Sequence, residues 1–147
     1  MNSGGLLQNK KVGGTCSQRK KELAQAQILI GESDNDLLLL FRTYLSSLGV
    51  GTEAASSGQE ALDCFLQSKE KRIPYEAILL DTHLYNPSGL DVAKKIRSEK
   101  PDQKLVLVTT TPMEHLSEEC LRTTALKDID VLTMPFKLAK LATVLRH

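Results

Sequence analysis

The sequence predicts an α/β domain built on a five-stranded parallel sheet with helices on both faces. Two observations lead to this fold class. Five short apolar runs alternate with amphipathic stretches from residue 27 onward, and strands that alternate with helices at this spacing form βα units. The 147 residues are also one domain's length, with 41% hydrophobic and 25% charged residues, which is ordinary for a globular protein.

Each predicted strand is a run of four to six residues that is rich in aliphatic or β-branched side chains. The five predicted strands cover residues 28–31, 50–55, 76–80, 104–108 and 129–133. After a charged first residue, the third run continues as AILL and the fourth as LVLV without a polar residue, which is typical of strands that are buried on both faces of a parallel sheet. Pro135 separates the fifth strand from the last helix.

The helices between these strands have recognisable start and stop signals. Gly49 ends the first helix, which covers the stretch DNDLLLLFRTYLSSLG, and Ser57 with Glu60 forms a capping box for the second. Ser88 begins the third helix. Thr111, followed by a proline at the first helical position, begins the fourth. A short fifth helix covers residues 138–145.

Charge divides the chain into a basic tail and a folded domain. Residues 1–26 contain five basic residues, one acidic residue and four glycines, whereas residues 27–147 carry 14 basic and 17 acidic groups. A basic segment can contact nucleic acid or an acidic partner, but its low apolar content favours a disordered, solvated tail. We therefore expect a domain at 27–147 and no nucleic-acid function.

Export, membrane insertion and a disulfide framework are not expected. The longest apolar runs are far shorter than the roughly 20 residues that span a bilayer, and the first residues lack a signal-peptide hydrophobic region. Cys16, Cys64 and Cys120 are odd in number and widely spaced, which is typical of reduced thiols. The sequence therefore predicts a cytoplasmic protein.

Parallel sheets of this kind bind ligands at the carboxyl ends of their strands. The polar and unusual residues at those ends are Glu32, Ser33, Asp34, Asp81, Thr109, Thr110 and Met134. The first loop, GESDND, matches neither a P-loop nor a dinucleotide-binding loop, and its acidic side chains would repel phosphate. A GxSxG nucleophile elbow is absent from the sequence.

A transition-metal site is one chemistry that these residues leave open. Glu32, Asp81, His83 and His115 offer oxygen and nitrogen ligands, which suit zinc or manganese. The second aspartate of a DxD phosphatase motif is replaced by His83, so that chemistry is not favoured.

Four motifs in order, ILIGESDND, AILLDTHLYNPSGLD, LVLVTTT and VLTMPF, resemble the receiver domain of two-component response regulators. The resemblance covers residue 27 to the C-terminus, and Gly89 falls on the glycine that follows the family's acceptor aspartate by eight residues. The resemblance implies the flavodoxin-like receiver fold, (βα)5. It also implies a phosphoryl group accepted on one aspartate with Mg²⁺, and a face that changes shape for a partner.

The resemblance assigns expected roles to the residues at the strand ends. Asp81 falls on the phosphoacceptor and Thr109 on the hydroxyl that binds a phosphoryl oxygen. Glu32 and Ser33 fall on the acidic pair that holds the metal together with Asp81. His83 falls on the residue whose backbone carbonyl completes the metal ligands.

The sequence departs from the family pattern at four positions. Ser33 replaces the second acid, so Mg²⁺ is expected to be weak or absent unless Asp34 shifts into its place. Met134 replaces the lysine that precedes the proline, and a thioether carries no charge. Val131 replaces an aromatic residue that reports the switch by changing rotamer, and Val has a stiff χ1. Tyr85 replaces the usual proline of the loop.

Together these departures predict a degenerate, single-domain receiver of two-component or phosphorelay signalling. We expect it to work by binding a protein, either a histidine kinase or a downstream signalling protein, and not as an enzyme. The docking surface implied by the resemblance lies near Met113–Leu121 and Phe136–Leu145. The alternative is an ordinary response regulator that a histidine kinase phosphorylates on Asp81 with Mg²⁺.

Overall fold

A computed structural model describes residues 27–110 and 131–146 of the chain. The structural statements below refer to those two ranges. Several predicted features lie outside them: the basic tail at 1–26, the helix that begins at Thr111, His115, and the first two residues of the predicted fifth strand.

The described residues form one five-stranded sheet in the order β2-β1-β3-β4-β5, and every pair of neighbouring strands is parallel. The strands are β1 (Gln27–Gly31), β2 (Gly51–Ala55), β3 (Ala77–Asp81), β4 (Leu105–Thr109) and β5 (Val131–Thr133). The order reverses at β1, which leaves a crevice between the ends of β1 and β3. The predicted fold class is confirmed.

Within the described residues, four helices accompany these strands: α1 (Asn35–Ser47), α2 (Gly58–Lys71), α3 (Gly89–Glu99) and α4 (Leu138–Arg146). Serine side chains cap two of them, since the Ser57 hydroxyl accepts from the Glu60 N–H and the Ser88 hydroxyl accepts from the Asp91 N–H. Gly49 follows α1 with φ +80°, a left-handed conformation that glycine adopts at little cost. The predicted starts of α2 and α3 and the predicted end of α1 are therefore confirmed.

The capping box of α2 differs from its prediction in one contact. The Glu60 carboxylate does not accept a hydrogen bond from the Ser57 N–H. Its carboxylate accepts instead from the Ser56 N–H at 2.6 Å and the Ser56 hydroxyl at 3.1 Å. The contact with Ser56 satisfies a backbone N–H just before the helix, as the carboxylate of a capping box also does.

Two buried clusters lie on opposite faces of the sheet because alternate strand residues point in opposite directions. One face packs Leu29, Ile78, Leu80, Leu105 and Leu107 against α2 and α3. The other packs Ile30, Leu79, Val106, Val108 and Leu132 against α1 and α4. Strands β3 and β4 are buried at every position, so the central strands carry both cores.

The two central strands run one residue further than the sequence predicts. Asp81 and Thr109 were expected just after strands ending at 80 and 108, but each is the last residue of its strand. The ladder extends because Asp81 pairs with Val108 and Thr109 with Thr133. Both functional candidates are therefore held by the sheet and not by a loop.

Two glycines permit the backbone between β3 and α3 to pack closely. A Cβ on Gly89 would lie 2.1 Å from the Asp81 carbonyl oxygen, and a Cβ on Gly58 would lie 1.9 Å from the Pro87 carbonyl oxygen. Real Cβ atoms do not approach backbone oxygen so closely, so any side chain at either site must displace the segment that follows Asp81.

Within the described ranges, the helices all fall short of the length and apolar character needed to cross a membrane.

Candidate functional site

The carboxyl ends of β1, β3, β4 and β5 enclose a cleft of about 330 Å³. The structure brings together all the strand-end residues that the sequence singled out. The cleft is lined by Glu32, Ser33, Asp34, Leu37, Asp81, His83, Val108, Thr109, Thr110 and Met134. This agreement follows from the parallel register, which places the ends of neighbouring strands side by side.

Asp81 forms part of the acidic floor of the cleft. It is only 7% exposed, and its Oδ1 accepts a hydrogen bond from the His83 N–H at 2.7 Å. That bond turns the chain sharply after β3 and fixes the orientation of the carboxyl group. The remaining acceptor capacity of Asp81 faces the cleft and Glu32.

Glu32 is the second acid of the floor, and it is buried to 2% exposure. Its Oε2 accepts from the Asp34 N–H at 3.1 Å, while Oε1 is buried without a hydrogen-bond donor among the described residues. Burial, and then the neighbouring Asp81 carboxyl, raise the pKa of Glu32 from 4.5 to about 8. If both acids are ionised, neither carries a proton that it could donate to the other. A proton or another cation between them would then satisfy Oε1.

This raised pKa makes stability depend on pH. The folded chain holds a proton on Glu32 that the unfolded chain releases near its ordinary pKa of 4.5, so the free energy of unfolding falls as pH rises from about 4.5 to about 8. Glu32→Gln keeps the shape and removes the titration. We expect the variant to equal the native protein near pH 4.5 and to be about 4 kcal/mol more stable at pH 8, as measured by urea unfolding.

Glu76→Gln is the matched control, because Glu76 is exposed at the opposite end of β3. For this control, the difference in the free energy of unfolding from the native protein should be the same at pH 4.5 and at pH 8. Parallel pH profiles for native and Glu32→Gln would contradict the assignment of the titrating pair.

Asp34 does not take the place of a missing metal-binding acid. Its carboxylate caps α1 by accepting from the Asp36 N–H at 2.9 Å and the Leu37 N–H at 3.2 Å, and the residue is exposed. These bonds satisfy two donors of the first helical turn. A shift of the loop would break both, so the side chain next to Glu32 in the acidic pair remains Ser33.

Two threonine contacts join the ends of β3 and β4, and sequence reasoning had missed both. The Thr82 hydroxyl donates to the Thr109 hydroxyl at 3.0 Å, and His83 Nε2 lies 2.9 Å from the Thr110 hydroxyl. The sequence signal was the pair of short polar tracts, DTH and TTT, that follow adjacent predicted strands. Thr109 is thus buried at 1% exposure with its hydroxyl already in contact with a neighbour.

Two of the four departures from the family pattern lie on the cleft wall. Ser33 and Met134 are half-buried lining residues, and the Met134 N–H donates to the Thr109 carbonyl at 2.7 Å. Val131 is also half-buried and packs against the core on the α2 and α3 side of the sheet. The described lining therefore contains three carboxylates and neither lysine nor arginine.

The loop that carries Tyr85 in place of proline is held by α2. The Gly58 N–H donates to the Tyr85 carbonyl at 2.7 Å, and the Gln59 N–H donates to the Asn86 carbonyl at 2.8 Å. These are the free N–H groups of the first helical turn. The side chain of Tyr85 is 61% exposed, so the substitution leaves the loop backbone anchored.

The zinc or manganese site that the sequence left open finds no support among the residues that the structure covers. No three His, Cys, Asp or Glu side chains in the two described ranges converge on one point. His83 contacts Thr110, and His115 lies outside the described residues. The hypothesis therefore loses its geometric basis in the described residues.

Only the second half of the predicted docking surface is described. Phe136 stacks on Phe41 with ring centroids 6.3 Å apart, and Leu141 and Val144 are buried in the core. The exposed residues of this segment are Lys137, Ala139, Lys140 and Thr143. Its outer face is consequently polar and basic.

Comparisons with known proteins identify the family and agree with the fold. Residues 28–146 match the family model described as the response regulator receiver domain. Over 120 residues the chain is 30% identical to the response regulator MprA of Mycolicibacterium vanbaalenii, a match that covers 82% of this chain and 48% of MprA. Over 91 residues it is 30% identical to the regulatory protein LuxO of Vibrio vulnificus, covering 62% of this chain and 19% of LuxO.

Solved structures of response regulators share the fold of this chain. A two-component response regulator from Clostridium difficile superimposes with a TM-score of 0.67 at 26% identity, covering 84% of this chain and 98% of that one. The response regulator TrrA of Thermotoga maritima, solved in complex with Mg²⁺ and BeF, superimposes with a TM-score of 0.70 at 24% identity, covering 83% and 97%. The chain thus spans nearly the whole of these structures and about a fifth of LuxO.

Proposed function

Because the chain belongs to the response regulator receiver domain family, we propose that it is a degenerate receiver that signals mainly by binding another protein. Phosphoryl transfer to Asp81 is inefficient in it, and it has no enzymatic activity toward other molecules. The observation that supports this proposal is the lining of the cleft, where Ser33 and Met134 are neutral and the described residues provide no lysine or arginine.

The missing charges matter because of what phosphoryl transfer requires. Negative charge on the transferring oxygens and on the attacking carboxylate must be neutralised by positioned cations. Removal of one preorganised charge from such a site typically costs on the order of 10²–10³ in rate. A neutral residue at 134 and a neutral residue at 33 remove two, although the two losses need not add.

Mg²⁺ fits the described residues in part. Glu32 and Asp81 are two neighbouring buried carboxylates, and Glu32 Oε1 lacks a donor in the described part of the chain, so a cation can satisfy this oxygen. The metal would be held by these two acids and the His83 backbone carbonyl, and when bound it supplies positive charge for the carboxylate and the transferring oxygens. Ser33 contributes no charge, so the affinity is weak.

The protein partner is a histidine kinase or a downstream signalling protein. Protein binding is supported by a fold that this chain shares with CheY in the CheX–CheY complex of Borrelia burgdorferi, which superimposes with a TM-score of 0.68. On this chain, Lys137 just before α4 and Lys140 on α4 are both exposed, which favours a partner with acidic residues at the contact.

An ordinary, efficiently phosphorylated response regulator is the second candidate. The observation that favours it is the position of Asp81 and Thr109 at the ends of adjacent strands, with an open cleft between them and Glu32. In that case a histidine kinase would phosphorylate Asp81 with Mg²⁺, and Thr109 would bind a phosphoryl oxygen.

Labelling of the native chain separates the two candidates. We expect acetyl phosphate with Mg²⁺ to add a phosphoryl group to only a small fraction of the protein, as measured by intact mass spectrometry. Asp81→Asn is the matched control, since it keeps the shape and removes the nucleophile. Rapid, near-complete labelling that Asp81→Asn abolishes would overturn the degenerate assignment and establish the ordinary response regulator.

Mg²⁺ titration followed by NMR gives an independent reading of the same question. We expect the amide signals of Glu32, Asp81 and His83 to shift only at Mg²⁺ concentrations well above the millimolar range, because one of the two acids next to Asp81 is missing. Saturation below that range would contradict the weak site.

A further inference from the structure

The cleft beside Asp81 combines an acidic floor with an apolar wall. Glu32 and Asp81 form the floor, while Leu37, Val108 and Met134 lie on the lining. Val108 is buried, and Leu37 and Met134 are half-buried and pack against the core cluster on the α1 side. A ligand that fills the whole cleft must therefore present positive charge at one end and hydrocarbon along its length.

The floor also contains an acceptor with no donor. Glu32 is 2% exposed, and its Oε1 has no hydrogen-bond partner among the described residues. Its other oxygen is occupied by the Asp34 N–H. A buried acceptor that remains unsatisfied is costly in free energy. The floor of the cleft therefore lacks both a hydrogen-bond donor for this oxygen and a positive charge to balance Glu32 and Asp81.

We propose that this cleft binds a primary alkylammonium group, namely the side chain of a lysine that a partner protein inserts on docking. The proposal deepens the proposed function and rests on it in one respect, since it takes protein binding to be the way in which the domain signals. Phosphorylation of Asp81 plays no part in it.

The chemistry of a lysine side chain matches the cleft at both ends. The ammonium group has three N–H donors and no acceptor, and Glu32 Oε1, the Asp81 carboxylate and the Ser33 hydroxyl are oxygens that can accept them. The methylene stem packs against apolar surface while the charge stays with polar groups, and Leu37, Val108 and Met134 provide that surface. A guanidinium group holds its donors in a rigid planar fork, so they cannot turn separately toward these three oxygens as the donors of a compact ammonium group can.

The test uses n-butylammonium chloride as the probe with the native 147-residue chain at pH 8, where the amine is protonated. We expect saturable shifts of the Glu32, Ser33 and Asp81 amide signals, with an affinity at least tenfold higher than that of ammonium chloride, because the butyl chain buries apolar surface. n-Butanol has the same chain without the charge, and it should give no saturable shift at equal concentration.

Two variants locate the binding. Glu32→Gln should weaken n-butylammonium binding at least tenfold, whereas Glu76→Gln, at the far end of β3, should leave it unchanged. Met134→Lys introduces an ammonium group from the cleft wall itself, and it should abolish binding of the probe. Leu66→Lys, which adds the same charge at an exposed position on α2 outside the cleft lining, should bind as the native protein does.

The result that would overturn the inference is equal binding of n-butanol and n-butylammonium, or an affinity that neither Glu32→Gln nor Met134→Lys alters. These outcomes are independent of labelling on Asp81. A protein that labels readily and still binds the probe would refute the proposed function alone, whereas one that labels poorly and does not bind it would refute the lysine site alone.

Discussion

The double variant Ser33→Asp plus Met134→Lys is expected to label on Asp81 with acetyl phosphate and Mg²⁺ at least ten times faster than the native chain. Both positions line the cleft next to Asp81. Aspartate at 33 restores a carboxylate for the metal, and lysine at 134 restores a cation beside the transferring oxygens. Intact mass spectrometry over a time course measures the rate directly.

The single variants should each recover less than the double variant. Metal and lysine neutralise the same developing charge, so each is most effective when the other is present. Asp81→Asn in the double variant must abolish the signal, because otherwise the label lies elsewhere. If the double variant still labels no faster than the native protein, charge is not what limits the reaction, and the hydrogen-bonded Thr82–Thr109 pair becomes the next position to vary.

The second large effect concerns the central strands. Leu79→Ala and Val106→Ala should each lower the free energy of unfolding by roughly 2–4 kcal/mol. Leu79 is 1% exposed and Val106 is 0% exposed, and the two residues are paired across β3 and β4. Truncation of either removes buried methyl groups from the cluster that packs against α1 and α4, where the close-packed surroundings relax only partly.

Urea unfolding measures both changes, and Leu39→Ala is the matched control. Leu39 is 66% exposed on α1, so the same truncation there should change the free energy of unfolding by no more than about 0.5 kcal/mol. Near-neutral effects at both Leu79 and Val106 would contradict the buried central position of these strands.

The sheet and its helices were predictable from the sequence because their signals are local. Two fully apolar runs indicated the buried central strands, Ser57 and Ser88 marked helix starts, and Gly49 marked a helix end. The alternation of strands and helices then implied a parallel sheet, and a parallel sheet brings its strand ends to one edge. This reasoning was enough to place Asp81 and Thr109 in one cleft with Glu32.

Some details of the elements were less predictable, since they depend on neighbours that are remote in sequence. Strands β3 and β4 end one residue later than their apolar runs because pairing with the adjacent strand continues through Asp81 and Thr109. Glu60 bonds Ser56 instead of Ser57, a choice between two nearby donors that the capping-box pattern does not distinguish.

The sequence alone determined the fold class, the edge of the sheet at which chemistry can occur, and the loss of charge at positions 33 and 134. Only the tertiary structure decided the state of the groups at that edge. It shows Asp34 occupied as a helix cap, Thr109 bonded to Thr82, and Glu32 buried beside Asp81 with its pKa raised to about 8. The physical reason is that residue type and periodicity are properties of a short stretch of chain. The electrostatics of a side chain depend instead on burial and on partners that strand register supplies from dozens of residues away.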